Sequence, residues 1–203
     1  MFNFFKKKSP AIPIDDQVYM DMGGKMHAIT ALWGGAAPVW VLCWFEDTFD
    51  QTLARLQADG MSVGGVRSRG QSPAGLPAAV VVAMVDALPE PDRLERQSPA
   101  PAALVFAERH PLAETEAGMA ARLHGVFPGA RIVRLSSLDE ALFADMRNLQ
   151  ALMHRLGVEP NEALSHPMIA KSIERLQKKN ERKVYGAEVR SSQADWLRLN
   201  QPG

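Results

Sequence analysis

Three short stretches of this chain are apolar at every position: Val39-Trp40-Val41-Leu42-Cys43-Trp44, Ala79-Val80-Val81-Val82-Ala83-Met84-Val85 and Ala103-Leu104-Val105-Phe106-Ala107. A strand with one wet face alternates apolar and polar residues. A run without alternation predicts a strand covered on both faces, the habit of parallel sheets. Two weaker runs, Met61-Ser62-Val63 and Arg131-Ile132-Val133-Arg134-Leu135, add further strands. Helical patterns lie between them. Phe49, Leu53 and Leu56 share one stripe of a helix over 48–56 that stops by Gly60, and Met119, Leu123 and Val126 do the same in 112–126. Strand and helix in alternation predict an α/β layered domain with a parallel sheet flanked by helices.

The flanks differ in character. Ser9-Pro10-Ala11-Ile12-Pro13-Ile14 reads as an extended lead-in, because each proline fixes φ and disfavours helix before it. Asp15 to Trp33 reads as a helix interrupted by Gly23-Gly24, and the segments 67–77 and 86–101, the latter with Pro89, Pro91, Pro99 and Pro101, read as linkers. Ser137-x-x-Glu140 has the spacing of a capping box. From there Leu138, Leu142, Met146, Leu149, Met153 and Leu156 recur at helical spacing until Gly157. Ser165 would cap a second helix near Pro167, with Ile169, Ile173, Leu176 and Val184 inward and Lys171, Arg175, Lys178, Lys179, Arg182 and Lys183 outward. The expected division is a basic and aromatic tail over 1–14, an α/β domain over 15–148 and a helical extension over 149–203.

Charge narrows the function. Lys+Arg 23 against Asp+Glu 23 in 203 residues argues against a nucleic-acid binder, which needs a positive excess over phosphates. The balance conceals a split: residues 1–10 carry three Lys and no acid, and 166–203 carry eight basic and four acidic residues, so the body between them holds a net −7. Cys43 is the only cysteine, which excludes an intrachain disulfide. No apolar run approaches the roughly 20 residues of a membrane span. A cytoplasmic protein is expected, with peripheral contact at the inner membrane face open to it.

Phosphate-binding motifs are missing. Gly23-Gly24-Lys25-Met26 has Gly-Lys without the hydroxyl or the earlier glycine of a phosphate loop, and no dinucleotide fingerprint fits. His27, His110, His124, His154 and His166 lack ligand spacing, so no metal or other cofactor is expected, and mid-strand Cys43 reads as a small core residue. The strongest candidate for a ligand or partner site is Glu108-Arg109-His110, at the end of an apolar strand, where α/β folds place their sites. Two readings stay open there: a functional site, or a Glu108–Arg109 network tying the next helix to the sheet, with Pro111 opening that helix. Contacts to an anionic surface are expected from the outer face bearing Lys171, Arg175, Lys178, Lys179, Arg182 and Lys183. The cluster Phe2, Phe4, Phe5 followed by Lys6, Lys7 and Lys8 is a second candidate for such contacts. A solvated face and a plain tail are the alternatives.

Taken in order, several segments resemble the SecA-type motor ATPase of bacterial preprotein export, in its second RecA-like nucleotide-binding lobe and the start of its helical scaffold. Asp16-Gln17-Val18-Tyr19-Met20 with Lys25 is similar to the entry of that lobe, and Pro38 through Trp44 with the following helix to its strand and helix. Ala78-Ala79-Val80-Val81-Val82-Ala83 and Glu108-Arg109-His110 match further motifs, the latter a Glu-Arg-His. Arg131 to Leu142, Met153-x-x-Leu156-Gly157, and the stretch from Glu162 through His166-Pro167-Met168-Ile169, Lys171 and Ile173 to Gln177 continue the match. The resemblance implies a RecA-like, P-loop NTPase-type α/β fold with a C-terminal helical extension.

Departures from the family pattern bear on function. The family's first lobe, with its phosphate loop and Mg-binding acids, has no counterpart in these 203 residues. Met84-Val85-Asp86-Ala87-Leu88-Pro89 stands in place of a Gly-Arg-Gly-Thr-Asp motif, and Ala121-Arg122-Leu123-His124-Gly125-Val126-Phe127 in place of the arginine-finger segment. Such a finger contributes roughly 10³–10⁵ in turnover, so no catalytic residue is assigned. The leading expectation is a non-catalytic SecA-like interaction module with a protein partner, the export motor or channel. The rivals are a module that binds ATP weakly or completes a site in trans, and an enzyme with an unrelated site at Glu108-Arg109-His110.

Overall fold

The computed structural model describes residues 12–33, 37–71, 79–97, 99–155, 157–159, 161–164, 167–182 and 184–201. The expected tail with Phe2, Phe4, Phe5, Lys6, Lys7 and Lys8, together with Leu156, Ser165 and Lys183, lies outside them. Six strands, β1 (Ile14–Tyr19), β2 (Val39–Cys43), β3 (Val63–Val66), β4 (Val80–Met84), β5 (Ala103–Phe106) and β6 (Arg131–Ser137), form one sheet in the order β1-β6-β5-β2-β4-β3. Every pairing is parallel. All residues of β2, β4 and β5 are buried, as their unbroken apolar runs require.

Crossover handedness sorts the helices. The path from β1 through α1 (Met22–Leu32) to β2, and from β2 through α2 (Glu46–Ala58) to β3, runs one way across the sheet. From β4 through α3 (Pro91–Gln97) to β5, and from β5 through α4 (Ala113–Val126) to β6, it runs back. Right-handed crossovers therefore put α1 and α2 on one face and α3 and α4 on the other. Consistently, α1 packs on α2, and α3 on α4. The reversal occurs beside β2.

Three expectations change. Ile14–Tyr19 is a strand, because its acids find arginines on β6: Asp15 meets Arg131 at 2.6 Å and Asp16 meets Arg134 at 2.7 Å. The two glycines then open α1 instead of breaking it. The N-cap Asp21 accepts the Gly24 N–H at 2.9 Å, and a Cβ at Gly23 would sit 3.1 Å from that same carboxylate oxygen. The proline-rich stretch 86–101 is not a bare linker, since α3 forms within it and buries Leu94 completely.

Beyond β6 the chain turns through a 3-10 segment at Ala141–Met146 before α5 (Arg147–Arg155), so the single helix expected from Leu138 is divided. Half of the capping box forms: the Ser137 N–H donates to Glu140 Oε1 at 2.9 Å, whereas Ser137 Oγ finds no partner. Then come α6 (Pro167–Glu181) and α7 (Gln193–Asn200). Val18, Leu138, Leu142, Phe143 and Ile173 form a second apolar cluster that joins these helices to β1. Val184, expected inward, is 39% exposed because α6 has already ended.

Leu104 lies fully buried in β5, near the middle of the sheet. Leu104→Ala is expected to lower unfolding free energy by about 2–5 kcal/mol through lost transfer energy and the cavity left behind. Urea denaturation reads this as a lower midpoint at unchanged slope.

Candidate functional site

In an open parallel sheet, ligands bind outside the carboxyl ends of the strands where the strand order reverses. Here that place lies between the ends of β2 and β5, and Glu108 fills it. Its Oε1 accepts the N–H groups of Trp44 and Phe45, both at 3.0 Å, and its Oε2 lies 2.6 Å from Thr48 Oγ1. Phe45, the N-cap of α2, has no side chain able to cap, and the Glu108 carboxyl, at the end of the neighbouring strand β5, holds its N–H and that of Trp44 just before the helix. The next donors are taken as well. Glu46 N–H donates to the Arg190 carbonyl at 2.7 Å, Asp47 N–H to the Ser191 carbonyl at 3.0 Å, and Thr48 N–H to Asp47 Oδ1 at 2.7 Å.

Arg109 points the other way, into an ion network. Its guanidinium donates to Asp16 at 2.7 Å and to Glu116 at 3.3 Å, while Arg134 binds both oxygens of Asp16 at 2.7 Å and Glu116 at 3.1 Å. Two cations and two anions thus tie β1, β6, α4 and the end of β5 together. Glu116 also accepts the His110 N–H at 2.7 Å. Pro111 does not open α4, which begins at Ala113 after the N-cap Leu112.

The His110 ring sits among Trp44, Phe45 and Trp196, with centroids 4.9, 6.1 and 5.5 Å away. Its Nδ1 accepts the Leu112 N–H at 3.0 Å, and burial lowers its pKa to about 4. The imidazole is therefore neutral and its acceptor nitrogen occupied. Burial pushes the Glu108 carboxyl up to about 8, against the opposing pull of Thr48 and Lys25. Lys25, itself fully buried on α1, reaches Glu140 Oε1 at 2.9 Å. Burial also raises the Cys43 thiol, which leaves it a core residue.

The chain's 185–200 segment covers this place, and neither the strand nor the helix patterns of the sequence point to it. Gln193 donates to the Arg109 carbonyl at 2.9 Å and accepts the Leu142 N–H at 2.7 Å, while Trp196 lies 5% exposed against His110. Arg190 pairs with Asp86 at 2.8 Å. A signal was present: Ser192-x-x-Asp195 is a cap pattern, and Ser192 Oγ does accept the Asp195 N–H at 3.0 Å. What remains open is a cleft of about 230 Å³ lined by Asp47, Glu108, Asp139 and Glu140, with no Lys or Arg on its walls. Among the described residues no cluster of metal-ligating side chains occurs.

Of the expected surface contacts, Lys171, Arg175, Lys178 and Lys179 are exposed on α6, and Arg182 is exposed in the turn after it. They do not line the strand-end cleft. The opposite side of α6 is bound to the same strand-end turn, where Gln177 donates to the His110 carbonyl at 2.8 Å and Asn180 to the Pro111 carbonyl at 3.3 Å.

No protein-family model and no curated protein matches the chain. Solved structures do resemble it. The Pyrococcus furiosus Hef helicase domain is 15% identical with a TM-score of 0.41, over 58% of this chain and 26% of its own. The C-terminal part of the Fun30 ATPase domain is 10% identical with a TM-score of 0.42, over 78% of this chain and 54% of its own. The C-terminal domain of the DEAD-box protein Dbp5 is 16% identical with a TM-score of 0.43, over 82% of this chain and 96% of its own. This chain thus spans about a quarter of the Hef chain and about half of the Fun30 chain. Likeness at this distance carries no activity across. The α/β class rests on the parallel sheet itself, with helices on both faces.

The geometry makes both stability and its pH dependence testable. Arg109 is 3% exposed, and its removal leaves the buried Glu116 carboxylate with Arg134 as its one remaining cation, so Arg109→Ala is expected to cost on the order of 3 kcal/mol in urea denaturation. For pH, Glu108 holds its proton to about 8 when folded and loses it near 4.5 when unfolded, so its contribution is full below 4.5 and is lost as pH rises to 8. His110, lowered from 6.5 to about 4, acts oppositely, adding stability as pH rises from 4 to 6.5. The two offset each other up to about 6.5, which leaves a net fall between 6.5 and 8. Glu108→Gln keeps the acceptor oxygen and cannot ionise, so its stability is expected to be flatter than wild type over that window.

Proposed function

We propose that this chain is a non-catalytic interaction module built on an α/β ATPase-type scaffold. One observation carries the proposal: every backbone donor from Trp44 to Thr48 at the strand-end crevice is already bonded within the chain. A helix N-terminus binds phosphate through free N–H groups. None is free in this first turn, and the cleft beside it is lined by Asp47, Asp139 and Glu140 with no Lys or Arg on its walls to attract an anion. An enzyme at Glu108-Arg109-His110 is disfavoured for a related reason: all three side chains are engaged in internal bonds. The finer proposal, kinship with the preprotein export motor and a partner in that machinery, draws on the ordered sequence resemblance from Asp16 to Gln177.

The test is nucleotide binding by the purified chain. Neither ATP hydrolysis nor a thermal shift with Mg-ATP is expected, since a ligand of the folded state raises the midpoint by mass action. A dissociation constant at or below about 10 μM, about −7 kcal/mol, would revive the nucleotide-responsive reading.

A further inference from the structure

Lys171, Arg175 and Lys178 stand at i, i+4 and i+7 on α6, so a 3.6-residue helix returns them to one line, and Arg182, in the turn directly after Glu181, extends it at i+11. The line runs roughly 16 Å at 1.5 Å per residue. It faces away from Ile173, Gln177 and Asn180, which are at most 4% exposed. Among the described residues Lys178 is ion-paired with Glu174 on the same helix, and Lys171 acts on that same carboxylate. The line is also held still. Gln177 and Asn180 anchor the underside of α6 to the carbonyls of His110 and Pro111, so little backbone freedom remains to be lost when a ligand binds.

An apolar patch follows at the end of this line. Four large hydrophobic residues are exposed among the described residues, and three of them, Val184, Tyr185 and Leu199, gather here. Tyr185 N–H donates to the Asn200 carbonyl at 3.3 Å and Ala187 N–H to Asn200 Oδ1 at 2.8 Å, which folds the segment after α6 onto the end of α7. Tyr185 is 72% exposed, although aromatic side chains carry much of the energy of protein interfaces.

We propose that this cationic line and the Tyr185 patch together dock an acidic segment of a partner protein. The segment would carry carboxylates about one helical turn apart and an apolar side chain at the end that meets Tyr185. The assignment rests on the interaction-module reading above and names the partner's chemistry. Charge favours a short protein segment over a membrane or a nucleic acid. The body of the chain carries a net −7, and an extended sheet or polymer of negative charge meets that repulsion within a Debye length of about 8–10 Å. A single acidic segment meets the line alone.

The experiment uses the full chain and fluorescein-labelled synthetic peptides of about sixteen residues, one and a half times the span of the line. One has Glu at i, i+4 and i+7 with Phe and Leu at one end; its control has Gln at each Glu. Fluorescence anisotropy is expected to show salt-sensitive binding of the Glu peptide. The triple change Lys171→Glu, Arg175→Glu and Arg182→Glu should weaken it by about tenfold or more, and Tyr185→Ala by about fivefold. If the reversal lowers the melting midpoint, Gln at the same three positions is expected to show the loss in a folded chain. Equal binding of the Gln peptide, no binding of the Glu peptide, or binding unaffected by the triple change would overturn the proposal. So would tighter binding to phosphatidylglycerol vesicles or an oligothymidylate, or self-association abolished by the triple change, which would give the face to a membrane, a nucleic acid or a second copy. A thermal shift with Mg-ATP in the same samples tests the parent reading separately. Failure of the peptide without an ATP shift removes the docking proposal alone, and an ATP shift overturns the parent reading in favour of the nucleotide-responsive one whatever the peptide does.

Discussion

A buried carboxyl group at the junction of two strands organises this molecule. Taking such a group out of water is costly unless its hydrogen bonds are replaced, and Glu108 replaces them with two backbone N–H groups and a threonine hydroxyl. The turn that carries it then distributes bonds outward. Arg109 holds β1 and α4 by its side chain and α7 by its carbonyl; the carbonyls of His110 and Pro111 hold α6. Most of the elements around the strand ends are therefore positioned by four consecutive residues.

The same turn alters what the scaffold can bind. Helix N-termini carry a partial positive charge and unpaired N–H groups, which suits them to anions. At both helices that begin beside this crevice, acids of the chain take some of these donors. Asp21 and Asp139 receive the Gly24 and Met22 N–H groups of α1, and Glu108 and Asp47 do so around α2. The helix starts beside this crevice serve as internal joints, and the docking surface proposed above lies away from them, along α6.

Much of the sheet was legible in the sequence because its central strands are apolar on both sides, a pattern that a covered parallel sheet demands and a half-wet sheet does not produce. The edge strand β1 was not: Asp15-Asp16-Gln17 is polar, and its strand character comes from arginines on β6 more than a hundred residues away. Local propensity has no access to such a pairing. The strand-end motif was located from its position after β5, yet its two readings could be separated only once the partners Trp44, Phe45, Thr48, Asp16 and Glu116 were in place. Helix α7 went unread because a short helix has little periodicity. Its cap, Ser192 with Asp195, was the only local mark. The basic face of α6 was plain in the spacing, whereas its anchorage through Gln177 and Asn180 was not.

The cover over the strand ends has a consequence for how the chain is made. Translation delivers β1 first and α7 after all six strands, and at roughly 5–20 residues per second the stretch between Ser137 and Gln193 takes on the order of a few seconds to emerge. During that interval the sheet can assemble while Glu46 and Asp47 lack their carbonyl partners and one side of the His110 ring lacks Trp196. The nascent molecule carries an unsealed seam of aromatic surface that only its own later residues close. Closing that seam is a docking event within the chain, timed by the synthesis of the 190–196 stretch and not by the folding of the sheet.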